Sequence, residues 1–239
     1  MATVLQISDT HLLTEPTMTE HGDPDVSLCA TIDAVRELRP DLVLLTGDIA
    51  DDGSAEALRR VRDLVVELSA PVLALAGNHD DLVHLHTVFG STDTLEVGAW
   101  RALAVESSVP GEIYGSVDVD ELAGRLDRLD DRPTLIAMHH PPLSPSTHPW
   151  FQLIGAEKLL AAIGARPHVR AIVSGHLHEA FDRQSGDLAV CSAPSSLYAI
   201  DHLGDDFRWS DDGLVGCQVL TLGDQGSFSC ERVARSLGC

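Results

Sequence analysis

The chain has 239 residues and a hydrophobic fraction of 44%, enough to build one substantial core, and no apolar run is long enough to cross a bilayer. Its formal charge of −21, from 37 acidic and 16 basic residues, repels polyanions and argues against binding to nucleic acid or to an anionic membrane. The first residues show no signal-peptide pattern and the five cysteines form no CxxC pair, which together predict a reduced, cytoplasmic protein.

The first half of the chain alternates apolar strand patterns with helix patterns. "TVLQIS", "DLVLLTG" and "PVLALAG" predict three buried strands. A first helix is predicted at residues 27–39 and ends before Pro40. A second follows Ser54, which can cap it, and a third is predicted at residues 81–89. Continuously apolar strands between helices indicate an α/β protein with a central sheet covered on both faces.

The second half continues the alternation. "WRALAVES" predicts a strand, and Asp118 with Glu121 resembles a capping box that opens the next helix. "TLIAM" and "VRAIVSG" predict two more buried strands, separated by a helix at 156–164. The later patterns "LAVCSA", "GCQVLTL" and "SFSCERV" predict antiparallel edge strands or a second sheet. No repeat or linker interrupts the chain, so residues 1–239 are predicted to form a single domain.

Each of five predicted buried strands ends in polar side chains of the kinds that bind metals. In chain order these are Asp9 and His11, then Asp48, then Asn78, His79 and Asp80, then His139 and His140, and finally His176 and His178. The carboxyl ends of strands border the ligand crevice in open α/β sheets, so we expect a site there. If the last strand stays extended, His176 and His178 leave it on the same face.

Taken singly, Asp9 or Asp48 is explained as a turn cap, and His139 as a buried core histidine. Capping gives no reason for histidine to recur, so the five strand ends together indicate a functional site. The donors are imidazoles, carboxylates and one carboxamide, without a thiolate, a set that suits Mn, Fe, Zn or Co rather than Ca. Seven candidate ligands are too many for one four-coordinate metal and fit two metals that share a carboxylate.

In order, the motifs D-x-H, G-D, G-N-H-D, H-H-P-P and G-H-x-H, which span residues 9–178, resemble those of the calcineurin-like metallophosphoesterase superfamily. The short chain and the GNHD and HHPP forms look most like its bacterial class III cyclic-nucleotide phosphodiesterase branch. The resemblance implies a four-layer α/β/β/α sandwich, in which two mixed β-sheets are flanked by helices. It also implies a binuclear metal centre, for which iron and manganese are the expected metals.

The resemblance assigns a role to each motif residue. The first metal would be held by Asp9, His11, Asp48 and His178. The second would be held by Asn78, His139, His176 and the same Asp48, which bridges the two. A hydroxide shared by the metals would attack phosphorus, while His79 stabilises charge or protonates the leaving oxygen. Asp80 is interpreted as orienting the His79 imidazole.

Departures from related families narrow the substrate. Asp52 stands where serine/threonine phosphatases of this superfamily carry a phosphate-binding arginine, which disfavours a protein phosphatase. The predicted substrate is a small phosphodiester, above all a 3′,5′-cyclic nucleotide such as cyclic AMP. A phosphomonoesterase, a nucleotide pyrophosphatase and a non-catalytic metal-binding scaffold remain as alternatives. A homodimer also stays open.

Two loops, at 142–157 and 194–212, are predicted to set substrate specificity. Their aromatic residues are candidates for stacking on a base: Trp150, Phe151, Tyr198 and Trp209. The histidines of the same loops, His148 and His202, are interpreted as surface residues.

Overall fold

The computed structural model describes residues 1–235. Its strands are β1 (Ala2–Ile7), β2 (Leu42–Thr46), β3 (Val72–Leu75), β4 (Thr94–Val97), β5 (Trp100–Ala104), β6 (Gly115–Ser116), β7 (Thr134–Ala137), β8 (Leu153–Ile154), β9 (Val169–Ser174), β10 (Phe181–Ser185), β11 (Leu188–Ser192), β12 (Ala199–Leu203), β13 (Asp206–Ser210), β14 (Gly216–Leu222) and β15 (Phe228–Ala234). Its α-helices are α1 (Pro24–Ala34), α2 (Ala55–Val65), α3 (Leu82–Phe89), α4 (Val119–Leu126) and α5 (Ala156–Gly164).

Two large mixed sheets stack face to face. The first has the order β15-β14-β1-β2-β3 and the second the order β10-β11-β9-β7-β5-β4. Helices α1, α2 and α3 pack their apolar faces on the outside of the first sheet, and α4 and α5 cover the outside of the second. The four-layer α/β/β/α sandwich is therefore confirmed.

The expectation of a single central sheet is wrong. Strands β1, β2 and β3 lie in the first sheet, whereas β7 and β9 lie in the second. In β2, Val43 and Leu45 pack against the helices, while Leu42 and Leu44 pack between the sheets. A strand is buried on both faces when helices cover both sides of its sheet, and also when helices cover one side and a second sheet covers the other. A continuously apolar run therefore cannot distinguish a helix layer from a second sheet above it.

The C-terminal strands build one flank of each sheet. Strand β14 pairs antiparallel with β1, and β15 forms the antiparallel edge beyond it, as predicted. Strand β11 differs, because it pairs parallel with β9 inside the second sheet, and the antiparallel edge on this flank is β10.

Side-chain caps fix the helix starts. Ser54, Asp81 and Asp118 each accept backbone N–H bonds at the N-terminus of a helix, which confirms the starts predicted for α2, α3 and α4. Helix α1 begins earlier than predicted, because Asp23 caps it and Pro24 occupies its first turn. It ends at Ala34, before the predicted end at residue 39. Among residues 1–235, no helix combines the length and apolar character needed to span a bilayer.

Candidate metal centre

The predicted ligands from the two sheets converge where β1, β2, β3, β7 and β9 end. Donor atoms of Asp9, His11, Asp48 and His178 all lie within 4.8 Å of one another, and all four residues are buried. His139 and His176 form a neighbouring cluster, with Asn78 reaching His139 from the loop after β3. The structure therefore brings the seven predicted ligands together at one end of the sandwich.

The backbone holds most of these ligands in an unusual conformation. Five of the seven have positive φ: Asp9 at 53°, His11 at 48°, Asp48 at 48°, His176 at 69° and His178 at 52°. Non-glycine residues rarely adopt this left-handed region, and such strain concentrates at functional sites.

The positive φ values also correct the expectation that His176 and His178 leave an extended strand on one face. Strand β9 ends at Ser174, and both histidines follow in the loop. Their imidazoles therefore reach different clusters, His176 beside His139 and His178 beside His11.

Glycine is required where the ligand loops approach each other. A Cβ atom at Gly77 would collide with the carboxylate and backbone of Asp48. A Cβ atom at Gly175 would collide with the Ser8 hydroxyl and lie 2.7 Å from an Asp9 carboxylate oxygen. Each of these glycines thus lets one strand end pack directly against a ligand carboxylate from another.

In the first cluster, hydrogen bonds determine which ring nitrogens of the histidines are free to bind a cation. His11 donates from Nδ1 to the Asp51 carboxylate at 2.9 Å, and His178 donates from Nδ1 to the Tyr198 carbonyl at 3.1 Å. In the neutral rings both Nε2 atoms then carry lone pairs, yet they lie 3.1 Å apart. The His178 Nε2 also lies 3.5 Å from the Asp9 carboxylate. These converging acceptor atoms fit a divalent cation between them.

The second cluster repeats this pattern. His139 donates from Nδ1 to the Thr46 carbonyl at 2.8 Å, so its Nε2 faces the Asn78 amide oxygen at 3.2 Å and Asp48 Oδ2 at 3.4 Å. His176 donates from Nε2 to the Trp150 carbonyl at 2.8 Å, which leaves Nδ1 as its ligand atom. Asp48 touches both clusters, since the same oxygen lies 3.9 Å from His11 Nε2.

The charge of Asp48 acts on a buried histidine of the second cluster. Burial lowers the pKa of His139, but the charge of Asp48 and its hydrogen bond outweigh burial and raise that pKa to about 10. Burial raises the pKa of Asp48, and the charge of His139 then holds it well below its ordinary value. Burial lowers the pKa of His176 to about 3, so this ring is neutral and ready to bind. Metal binding at this site should therefore release a proton from His139.

His79 lies beside the first cluster, and its partner is Asp51. The His79 Nδ1 donates to the Asp51 carbonyl at 3.0 Å and lies 3.3 Å from the Asp51 carboxylate. The same carboxylate binds His11, so one residue orients both a candidate ligand and the candidate catalytic imidazole. Sequence reasoning missed Asp51; its only signal is the position three residues after Asp48 in "GDIAD".

The interpretation of Asp80 as the residue that orients His79 is wrong. Its carboxylate accepts hydrogen bonds from the backbone N–H groups of Ile49, Ala50 and Gly77, at 2.8–3.1 Å. Adjacent side chains point apart here, so Asp80 joins the loop after β2 to the loop after β3 while His79 turns toward Asp51. Burial raises the pKa of Asp80 to about 6.

Two other histidines are structural. His140 uses both ring nitrogens, bonding to the Ser107 hydroxyl at 3.0 Å and donating to the Ile113 carbonyl at 2.9 Å, which agrees with His139 being the ligand. His202 was expected on the surface but its side chain is fully buried, donating to the Leu177 carbonyl at 2.9 Å. An apolar cluster of loop and hairpin residues explains that burial.

The structure separates the four loop aromatics. Phe151 is buried in the small cluster under the β12–β13 hairpin, so it has no free face for a ligand. The Tyr198 ring lies between the imidazoles of His178 and His21, with centroids 4.2 and 4.1 Å away. Trp150 and Trp209 remain 46% and 49% exposed, so only these two offer open indole faces.

Replacing Asp51 by asparagine should reduce metal affinity, turnover or both by about 10–100-fold, because a neutral amide binds the His11 Nδ1 less strongly than the carboxylate does and places no charge beside His79. Metal content and the rate on bis(p-nitrophenyl) phosphate would be measured together. Asp52→Asn is the matched control, since Asp52 bonds to Thr14 and Ser54 instead. Full metal content with wild-type turnover in Asp51→Asn would contradict the assignment.

Fold and site together define a class of protein with a paired histidine–carboxylate centre at the strand ends of a two-sheet sandwich. Residues 2–180 match the family described as calcineurin-like phosphoesterase, and the chain belongs to this family. The match ends at residue 180, just before β10, but the segment after it still supports the site. Ser195 Oγ donates to the Asp9 carbonyl at 2.8 Å, and the Tyr198 carbonyl accepts a hydrogen bond from His178.

The chain has close relatives along nearly its whole length. It is 33% identical to the 3′,5′-cyclic adenosine monophosphate phosphodiesterase CpdA of Pseudomonas aeruginosa, over 92% of this chain and 90% of the relative. It is 31% identical to a 3′,5′-cyclic-nucleotide phosphodiesterase of a Nostoc species, over 98% of this chain and 93% of the relative. A dimetal phosphatase from Danio rerio shares the fold, with a TM-score of 0.68, 14% identity and coverage of 98% and 99%.

Proposed function

We propose that this chain is a metal-dependent phosphodiesterase that hydrolyses a small phosphodiester, with a 3′,5′-cyclic nucleotide such as cyclic AMP as its substrate class. The observation that carries the proposal is the pair of buried ligand clusters joined through Asp48, with the His79 imidazole beside them. The relatives named as cyclic-nucleotide phosphodiesterases support the substrate class. A monoesterase or a scaffold has no comparable support.

Two metals are proposed for the centre, with iron and manganese as the expected pair. Asp9, His11, Asp48 and His178 would hold the first, and Asn78, His139, His176 and Asp48 the second. When bound, the metals would lower the pKa of water to supply a nucleophile and would polarise the phosphoryl oxygens. We place the protein in the cytoplasm and expect it to act on no nucleic acid, because the charge of −21 opposes a polyanion.

The chain itself supplies the proton for the leaving group. The Asp51 carbonyl keeps the His79 Nδ1 protonated, so Nε2 is the atom that can exchange a proton with substrate. The Asp51 carboxylate lies 3.3 Å from the same Nδ1 and helps to hold the ring in this orientation. The side chain of His79 is 40% exposed, so its Nε2 is accessible to the leaving oxygen of a substrate that binds from solvent. The pair thus has the arrangement of a general acid and its orienting carboxylate.

The deciding experiment is hydrolysis of 3′,5′-cyclic AMP by metal-stripped protein reloaded with Mn²⁺, with bis(p-nitrophenyl) phosphate and p-nitrophenyl phosphate alongside. Turnover of both diesters, abolished in Asn78→Ala, is expected. Turnover of the synthetic diester alone would retain the diesterase chemistry and reject the cyclic nucleotide. Preference for the monoester would reject the diesterase, and no metal-dependent turnover would favour the scaffold.

Trp209 is proposed to contact the base of the substrate. It lines a cavity of about 500 Å³ together with His21 and Tyr198, and Tyr198 in turn contacts His178 of the first cluster. Ligand cavities of small molecules have this size. The indole stands edge-on to the Tyr198 ring, at 5.6 Å and 76°.

Replacing Trp209 by alanine should lower kcat/KM for cyclic AMP by roughly 5–150-fold, the equivalent of about 1–3 kcal/mol of stacking. The value for bis(p-nitrophenyl) phosphate, which has no base, should change less than about twofold. An equal loss on both substrates would mean that Trp209 only supports the fold.

A further inference from the structure

Two cysteines face each other away from the metal centre, at the edge of the core between the sheets. Cys191 lies on β11 of the second sheet and Cys230 on β15 of the first, with their Sγ atoms 3.5 Å apart. Cys191 is buried and Cys230 is half-buried. Asp182 of β10 sits directly across from Cys191, and its carboxylate accepts a hydrogen bond from the Cys230 thiol at 3.0 Å.

This cluster of two thiols and a carboxylate offers two chemistries, a soft metal ion or a disulfide. Arg232, two residues after Cys230 on β15, decides between them. Its Nη1 pairs with the Asp182 carboxylate at 2.6 Å, so that carboxylate already has a cationic partner. The Nε and Nη2 atoms of the same guanidinium are buried without a partner among residues 1–235. A fixed positive charge here opposes a metal cation, whereas a neutral disulfide is unaffected by it.

We propose that Cys191 and Cys230 form a reversible disulfide that joins β11 of the second sheet to β15, the edge strand of the first. The sulfurs are already in van der Waals contact, and bond formation requires them to approach to about 2.05 Å. The pair takes no part in the proposed hydrolysis, because it lies on strands that contribute no candidate ligand.

A low-molecular-weight disulfide such as oxidised glutathione is the oxidant. The Cys230 proton is committed to Asp182, so the Cys191 thiol donates to Cys230 Sγ. That hydrogen bond and burial both raise the pKa of the Cys191 thiol, so Cys230, which is more exposed, is the group that attacks first. Its thiolate displaces one glutathione thiolate and forms a mixed disulfide. Cys191 Sγ then attacks Cys230 Sγ and releases the second glutathione. The two cysteines lose two electrons and two protons, and the two glutathione thiols gain them.

The cross-link would close a loop of about 40 residues, which restricts the unfolded chain and stabilises the folded one. The same loop contains residues 195–198, which support Asp9 and His178. For a chain of this size, the stabilisation corresponds to a rise in Tm of roughly 5–15 °C.

The test uses the metal-loaded full chain, incubated with oxidised glutathione and compared with the same sample after dithiothreitol. Peptide mapping under non-reducing conditions should recover a peptide pair linked through Cys191 and Cys230, and Tm should rise by the amount given above. Dithiothreitol should reverse both changes.

Matched serine variants separate the pair from the other thiols. Cys191→Ser and Cys230→Ser should each abolish the linked peptide and the rise in Tm, whereas Cys29→Ser, at an exposed position on α1, should keep both. Glutathione that stays attached to Cys230 without a linked peptide would overturn the proposal, and so would unchanged thiols. An extra equivalent of zinc that is lost in Cys230→Ser would also overturn it, because the cluster would then be a metal site.

Discussion

Replacing His79 by alanine should lower kcat for cyclic AMP by about 10²–10⁴-fold and leave the metal content unchanged. The imidazole stands beside the candidate ligands, 4.9 Å from the His11 ring, and its Nδ1 is committed to Asp51. A ribose alkoxide leaves poorly without a proton, whereas a nitrophenolate leaves readily. The loss should therefore be smaller for bis(p-nitrophenyl) phosphate than for cyclic AMP.

His86→Ala is the matched control for this variant, because His86 lies on α3 and faces a different cavity between α3 and α4. Its kinetics and metal content should match the wild type. A drop in the metal content of His79→Ala would make His79 a ligand instead of an acid. Equal losses on the two diesters would assign it to charge stabilisation of the phosphoryl group, without proton transfer.

The seven predicted ligands could be found from the sequence because each lies within a few residues of the end of an apolar run. A strand that buries both faces ends where its polar residues begin, and parallel strands end on the same side. His139 is the clearest case. Alone it is indistinguishable from a core histidine, but its place after "TLIAM" puts it at the same edge as Asp48.

The groups that orient those ligands had no such signal. His178, His139 and His176 donate to the backbone carbonyls of Tyr198, Thr46 and Trp150. Every residue type has a carbonyl, so no sequence pattern marks these three. Asp51 does carry a side-chain signal, but an acid in a loop of an acidic chain looks like any other solvated carboxylate until His11 and His79 are seen around it.

The backbone conformation of the loop after β9 could not be predicted from the sequence either. An extended path beyond Gly175 predicts one shared direction for the His176 and His178 side chains, whereas positive φ at both separates them. That conformation is unfavourable for a non-glycine residue, so local propensity argues against it. Contacts from other strands stabilise it, such as the hydrogen bond from the His176 amide to the Asp9 carboxylate at 3.0 Å. Tertiary interactions of this kind are not visible in a local stretch of sequence.

Asp48 is the residue on which the two-metal assignment depends, and Asp48→Asn should remove metal from both positions. Its Oδ2 lies 3.4 Å from His139 Nε2 and 3.9 Å from His11 Nε2, so one carboxylate oxygen faces imidazole nitrogens of both clusters. Loss of an outer partner already costs about 10–100-fold in metal affinity, and loss of a shared ligand should exceed that. Metal content should fall from two equivalents toward zero, with activity falling in parallel.

Asp9→Asn is the comparison that makes this result specific. Asp9 lies 3.5 Å from His178 Nε2 in the first cluster, while Asp48 serves both, so Asp9→Asn should retain about one equivalent of metal where Asp48→Asn retains almost none. Metal analysis after dialysis, with circular dichroism to verify folding, distinguishes the two. Equal metal content in both variants would mean that Asp48 does not bridge the clusters, and the centre would then consist of two independent sites instead of one coupled pair.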